Sequence, residues 1–161
     1  MLHLSLRMLQ HLKLNYPIVW DGVKIPVEQQ CDKFGGESTA MPNLHVMDFP
    51  SGSDSIVLEY SDRDSKKMDN GGHGRMSYSI DAMSKVVDIP SVPGHSFYLP
   101  IKFTIIEAHR GAGWDKEGAY MPPCSGGNNH AYYVTIKTIK TIKTMKGNMV
   151  TAKTVLAIGK F

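Results

Sequence analysis

Residues 121–140 read MPPCSGGNNHAYYVTIKTIK: two prolines and a cysteine, a Gly/Asn-rich turn, a histidine, then an aromatic and β-branched run. That run predicts a strand, because branched and aromatic side chains fit a pleated, half-buried surface. The turn before it is stiffened by Pro122 and Pro123. Gly126, Gly127, Asn128 and Asn129 then let the backbone bend tightly. The same grammar recurs outward from this stretch. SIVLEYSD (55–62), RMSYSID (75–81), FYLPIKFTIIEA (97–108) and TAKTVLAIGKF (151–161) are further strand-like runs. The segments PSGSDS, DNGGHG, PSVPGHS, HRGAGWDKEG and KGN carry turn chemistry between them. No long segment holds a 3.6-residue apolar period. Many short strands joined by Gly/Pro turns predict a mainly-β domain, a sandwich or barrel.

The chain has 161 residues, enough for one domain with a sizeable core. Its 42% hydrophobic and 20% charged content places it with ordinary globular proteins rather than disordered or fibrous ones. No apolar run approaches the length of a membrane-spanning helix. The opening MLHLSLRMLQHLKL is interrupted by His3, Arg7, Gln10, His11 and Lys13 and lacks the h-region of a signal peptide, so a cytoplasmic location is the expectation. Residues 1–11 read as an N-terminal extension and 12–161 as a single domain. Cys31 and Cys124 are too few for a disulfide framework and lack zinc spacing, which favours free thiols. A single bridge stays open if the compartment is oxidising.

The net charge of +3 is uneven: the segment from Ala131 onward has six lysines and no acidic residue. Those lysines are spaced evenly among Thr and Ile, the pattern of a solvated strand face, so no nucleic-acid partner is expected. The triplet TIKTIKTIKTMK places Ile136 and Ile139 on opposite faces of a strand, since strand faces alternate with period two. The hairpin that follows is expected to turn at Lys146, Gly147 and Asn148.

Several motifs also fall in an order that resembles the phosphatidylethanolamine-binding protein family, which includes the Raf kinase inhibitor proteins. KIPVEQQCDKFGGESTAMPNLHV is similar to the family's Ile-Pro, Cys-Asp-Gly and Pro-Leu-x-Trp opening. SIVLEYSDRDSK resembles the strand leading into Asp-Pro-Asp-Ala-Pro, and GGHGRMSYSID the His-Trp strand that ends Tyr-Asn-Ile-Pro. MPPCSGGNNHAYY resembles the Gly-Pro-x-Pro-Pro loop before His-Arg-Tyr, and VTAKTVLAIGKF the closing strand. The likeness runs from about Leu12 to Phe161. It implies a β-sandwich with few short helices and a small anion-binding pocket at one end. It also implies regulation of kinases or proteases through protein contacts, with no cofactor and no metal.

The departures are specific. Arg63 and Lys66 stand where the family usually has prolines, and Ala131 where it has arginine. Gly74 occupies the position of the usual pocket histidine, with His73 one residue early. A one-residue slip turns a strand side chain to the other face, so His73 needs a bulge or loop conformation to reach a pocket. The short TIKTMKGNM segment replaces the helices that many relatives carry near their C-terminus.

The residues themselves support an anion site. His130 and Tyr132 share a strand face and offer N–H and O–H donors to phosphate or carboxylate oxygens. Gly126 and its neighbours are expected to turn backbone N–H groups toward the same oxygens, with Pro123 at the entrance. Asp62 is assigned to orienting His130 or His73, and Asp64 to bracing the loop. The expected ligand-binding set is therefore Asp62, Asp64, His73, Pro123, Gly126, His130 and Tyr132, for a phosphate-bearing headgroup or phosphorylated ligand. Trp114 and Tyr120 read as packing residues, and His95 and His109, beside Gly-rich turns, as exposed. The rival reading is a phosphate-ester or metal-dependent hydrolase using Asp62 and His130. It lacks a nucleophile elbow, a His-x-x-x-His pair or a tight ligand cluster. A basic surface binder using the lysine-rich tail stands third and predicts steep salt dependence.

Overall fold

The computed structural model describes residues 7–9 (backbone), 20–142 and 147–161. Among the described residues, eight strands form two antiparallel sheets. The smaller has the order β1 (Arg7–Leu9), β2 (Leu44–Met47), β5 (Val86–Ile89). The larger has the order β6 (Phe103–Glu107), β4 (Gly74–Ser79), β3 (Ser55–Asp62), β7 (Ala131–Ile142), β8 (Gly147–Lys160). Helical structure among the described residues is limited to two 3₁₀ turns, Val27–Gln29 and Asp32–Phe34.

Alternation decides which side of each strand is buried. Ile56, Leu58 and Tyr60 of β3, Met76 and Tyr78 of β4, and Tyr132, Val134 and Ile136 of β7 point inward. They meet Leu44 and Val46 of β2, Ile89 of β5, and Trp20 and Ile25 from the preceding loop in one cluster. Full burial of each large apolar side chain contributes about 2–3 kcal/mol. On the other face of the larger sheet, Glu59 accepts hydrogen bonds from Arg75 Nε and Lys137 Nζ, each at 2.7 Å. This pins three adjacent strands in register, because a one-residue slip would drive the charges into the core. Ile136 lies in the core cluster, whereas Ile139 is buried outside it on the opposite strand face. The triplet's awkward period is absorbed in this way.

Sequence and structure part company at several elements. The 97–108 run is a strand only over Phe103–Glu107. Pro100 has no N–H to give a ladder, and Lys102 takes φ 78, which ends extended pairing. β2 and β5 escape sequence reading because each is four residues long and shadowed by Pro and Gly. The β7–β8 turn was expected at Lys146–Asn148, but Gly147 and Asn148 are strand residues, paired with Ile142 and Thr141. Lys146 itself falls outside the described residues. Most of the expected 1–11 extension does too, but Arg7–Leu9 pairs with Met47–His45 as an edge strand.

Topology gathers the chemistry at one end. β3 runs antiparallel to both β4 and β7, so its C-terminal Asp62 lies beside the N-terminal ends of those two strands. The last residues of β8 and β6 arrive at the same end, with Lys160 opposite Ala131 and Glu107 opposite Arg75. The loops 63–73, 108–130 and the C-terminus therefore converge there.

Candidate functional site

A cavity of about 410 Å³ opens at this end, lined by Asp62, His73, His130 and Tyr132 together with Ser65, Lys67 and Asn128 on its polar side. Met68, Met121 and Trp114 supply apolar wall.

Asp62, the last residue of β3, is 4% exposed. Its Oδ2 accepts a hydrogen bond from His130 Nδ1 at 2.6 Å, and its Oδ1 accepts from the Asp64 backbone N–H at 2.9 Å. A carboxylate only accepts, so the proton on His130 Nδ1 is fixed and Nε2 becomes the nitrogen left for the cavity. Nε2 accepts when the ring is neutral and donates when both ring nitrogens carry protons. Tyr132, two residues on, shares the face of His130, as alternation requires. Its hydroxyl accepts from Cys124 N–H at 3.3 Å, which leaves its own proton to donate. Burial pushes that phenol up to about 12, so it stays an O–H donor at all ordinary pH.

His73 stands just before β4 and is 3% exposed. Its Nδ1 donates to the Met121 carbonyl at 2.7 Å, and its ring packs edge-on against Tyr132 with centroids 5.4 Å apart. Burial depresses the imidazole to about 4. A neutral ring with Nδ1 protonated presents Nε2 as an acceptor, so His73 receives a hydrogen bond from a ligand rather than giving one. The register problem is resolved by Gly74. Its φ is +125, and a Cβ there would lie 2.1 Å from the Ala119 carbonyl oxygen. Only glycine permits this close approach of β4 to residues 119–120. It leaves His73 in loop geometry, held by His73 N–H to Tyr60 O and Met121 N–H to His73 O, both 2.9 Å.

The remaining expected residues have other places. Asp64 braces the start of β7, its Oδ2 accepting from Ala131 N–H at 2.7 Å, and it does not line the cavity. Pro123 lines a small neighbouring void, and its carbonyl accepts from Cys31 N–H. Gly126, at φ 69, lies against the Phe34 ring, where a Cβ would approach to 2.9 Å, and is likewise outside the cavity lining. Asn128 enters the lining, its side chain donating to the Ser125 carbonyl at 2.5 Å.

Sequence reasoning missed the loop contribution. Lys67 brings a positive charge to the lining, from a loop that Arg110 holds through the carbonyls of Asp69 at 3.0 Å and Asn70 at 3.1 Å. Glu107 in turn aligns the Arg110 guanidinium at 2.6 Å. No spacing pattern signals a contact between residues 40 apart.

Two expectations are corrected. Cys31 and Cys124 are not free thiols; they form a disulfide across a separation of 93 residues. The 3₁₀ turn after Cys31 lies against the 121–125 loop, which puts the two Cα atoms 5.2 Å apart, within bridging range. His95 and His109 are buried rather than exposed: the His95 side chain is 8% exposed and His109 6%. His109 is a satisfied structural residue, donating from Nε2 to the Lys116 carbonyl and accepting Gly111 N–H at Nδ1. Tyr120 packs in the core against Tyr60, while Trp114 is over half exposed at the cavity wall with Lys33 Nζ 3.5 Å above its ring.

The arrangement presents donors from His130, Tyr132 and Lys67 alongside acceptors from Asp62 and His73, without a nucleophile activated by a base. No family model, curated protein or solved structure matches this chain.

Proposed function

We propose that this chain is a small anion-binding protein of the phosphatidylethanolamine-binding type, built as that family's β-sandwich, which takes a phosphate-bearing headgroup or a phosphorylated side chain. The observation that carries the reading is the 2.6 Å pair between Asp62 Oδ2 and His130 Nδ1 at the wall of a 410 Å³ cavity. It orients an imidazole toward the space where Tyr132 and Lys67 add further donors. Asp62 and His73 suit a ligand that also carries donors of its own, such as an ammonium group or the O–H of a singly protonated phosphate. Kinases or proteases are the proposed partners through protein contacts, following the family resemblance alone.

The test is a titration of phosphoethanolamine and of inorganic phosphate into the wild type and His130→Ala, followed by backbone amide NMR. Saturable shifts at Asp62, Ser125 and Tyr132 that vanish in the variant are expected. The absence of shifts at millimolar ligand refutes the reading. Equal shifts in wild type and variant place the anion elsewhere on the surface.

A further inference from the structure

A second cluster of donor atoms adjoins the cavity but serves none of its chemistry. The sulfurs of Cys31 and Cys124 and a carboxylate oxygen of Asp115 lie within 4.8 Å of one another. Asp115 Oδ2 is 4.0 Å from Cys124 Sγ and 3.3 Å from His95 Nδ1. The side chains of Asp115 and His95 are 5% and 8% exposed, and His95 Nδ1 has no hydrogen-bond partner. A disulfide sulfur has no proton to give, so in the oxidised chain Asp115 Oδ2 is met by His95 Nδ1 at 3.3 Å and not by the sulfurs. A buried ring nitrogen without a well-aligned hydrogen bond is costly.

We propose that reduction of the Cys31–Cys124 bridge turns this cluster into a binding site for a divalent metal of the zinc class, with the two thiolates, Asp115 Oδ2 and His95 Nδ1 as its four ligands. Zinc bonds of about 2.0 Å to N or O and about 2.3 Å to S give tetrahedral edges of about 3.3 Å between N and O and about 3.5 Å between O and S. The observed 3.3 Å separation matches the first edge, and the 4.0 Å separation lies within a side-chain adjustment of the second. Two rearrangements are needed: the sulfurs part to about 3.8 Å, the corresponding S–S edge, and His95, which lies outside the 4.8 Å group of Cys31, Asp115 and Cys124, closes on them. His95 also has the outer partner that a metal-bound imidazole uses. Its Nε2 lies 3.5 Å from Asp32 Oδ1, and Asp32 is held by Lys116 Nζ at 2.7 Å. His95 Nε2 accepts the Asp32 backbone N–H at 3.4 Å in the oxidised chain; with Nδ1 on the metal that contact gives way and the Nε2–H donates to the Asp32 carboxylate instead.

The chemistry balances with a dithiol as reductant. One of its thiolates attacks the bridge, the Cys31–Cys124 bond breaks, and a mixed disulfide forms. The second thiol of the reductant displaces the protein sulfur and closes the reductant's own disulfide. Two electrons pass to the bridge, and Cys31 and Cys124 emerge as thiols. The metal then displaces their two protons to solvent. Cys124 lines the cavity, so the bridge is approached from that side.

The test uses the full chain, reduced under argon with a dithiol, freed of reductant by gel filtration, and titrated with Co²⁺ as a spectroscopic probe. One Co²⁺ per chain is expected, with thiolate-to-cobalt charge transfer and the visible absorption of a tetrahedral ion, displaced by equimolar Zn²⁺. Asp115→Asn and His95→Gln keep both cysteines and, once cooperative unfolding is verified, are each expected to weaken cobalt binding by about tenfold or more. The proposal is overturned if the reduced wild type gives no tetrahedral spectrum or if the oxidised chain takes up cobalt equally. It is also overturned if both folded variants bind as tightly as wild type, since the thiols alone would then hold the ion.

Discussion

Replacing His73 with asparagine isolates the cost of keeping a neutral imidazole buried. His73 is 3% exposed, and burial lowers its imidazole from the ordinary 6.5 to about 4, outweighing the hydrogen bond to Met121 and the nearby Asp62 and Asp115, which act the other way. The folded-state value lies below the unfolded one, so between the two the unfolded chain binds more protons. This contribution to stability is therefore complete above the unfolded value and is lost as pH falls toward about 4. Integrating the two titrations gives a loss of about 2 kcal/mol between about pH 7.5 and about pH 5, and at most about 3 kcal/mol at lower pH. Asparagine places an amide N–H near the position of Nδ1 and retains a donor for the Met121 carbonyl. It forfeits the edge-on packing against Tyr132, worth about 1 kcal/mol. In urea unfolding with the disulfide intact, wild type is expected to be the more stable protein at about pH 7.5. The difference should shrink by about 2 kcal/mol and change sign by about pH 5. A difference that stays constant with pH, or one that grows on acidification, refutes the assignment of His73 as a buried neutral ring.

Other consequences are equally direct. Reducing the Cys31–Cys124 bridge in metal-free buffer is expected to lower unfolding free energy by about 4–5 kcal/mol, because it frees a loop spanning 93 residues in the unfolded chain; a loss below about 1 kcal/mol in chemical denaturation contradicts this. Gly74→Ala should destabilise by about 3 kcal/mol or more, since φ +125 and a Cβ 2.1 Å from the Ala119 carbonyl are both intolerable; a thermal midpoint equal to wild type would show that β4 relaxes freely. Arg110→Ala removes the clamp on the Asp69 and Asn70 carbonyls and should speed amide exchange across residues 67–72 with little change in the core strands. Asp62→Asn is expected to weaken phosphate binding by about tenfold, the effect of losing one charge-assisted hydrogen bond that orients His130; unchanged affinity by calorimetry would mean that the ring is held by other contacts.

Legibility differs from one element to the next for physical reasons. SIVLEYSD is a strand over its full quoted length, and AYYVTIKTIK lies wholly within β7, because branched and aromatic residues with a two-residue period leave few other conformations. Asp62, His130 and Tyr132 were accessible for a related reason: each lies within a strand or beside its end, where period two dictates facing. His73 was not readable in this way. Its side chain reaches the cavity from loop geometry that depends on how closely Gly74 approaches the backbone of residues 119–120. Gly126 and Pro123 share the loop of His130, yet proximity in sequence did not bring them into the cavity wall.

By itself the sequence determined a mainly-β chain, the positions of its longest strands, and the pairing of polar donors on one face of β7, since these follow from periodicity and local backbone preference. Only the tertiary structure decided that Cys31 meets Cys124, that His95 and Asp115 sit buried beside that bridge, and that Lys67 lines the same cavity as His130. Each of those contacts joins loops whose conformations are weakly specified by their own residues. Their relative placement is set by which strand ends the antiparallel pairing of β3, β4, β6, β7 and β8 brings together.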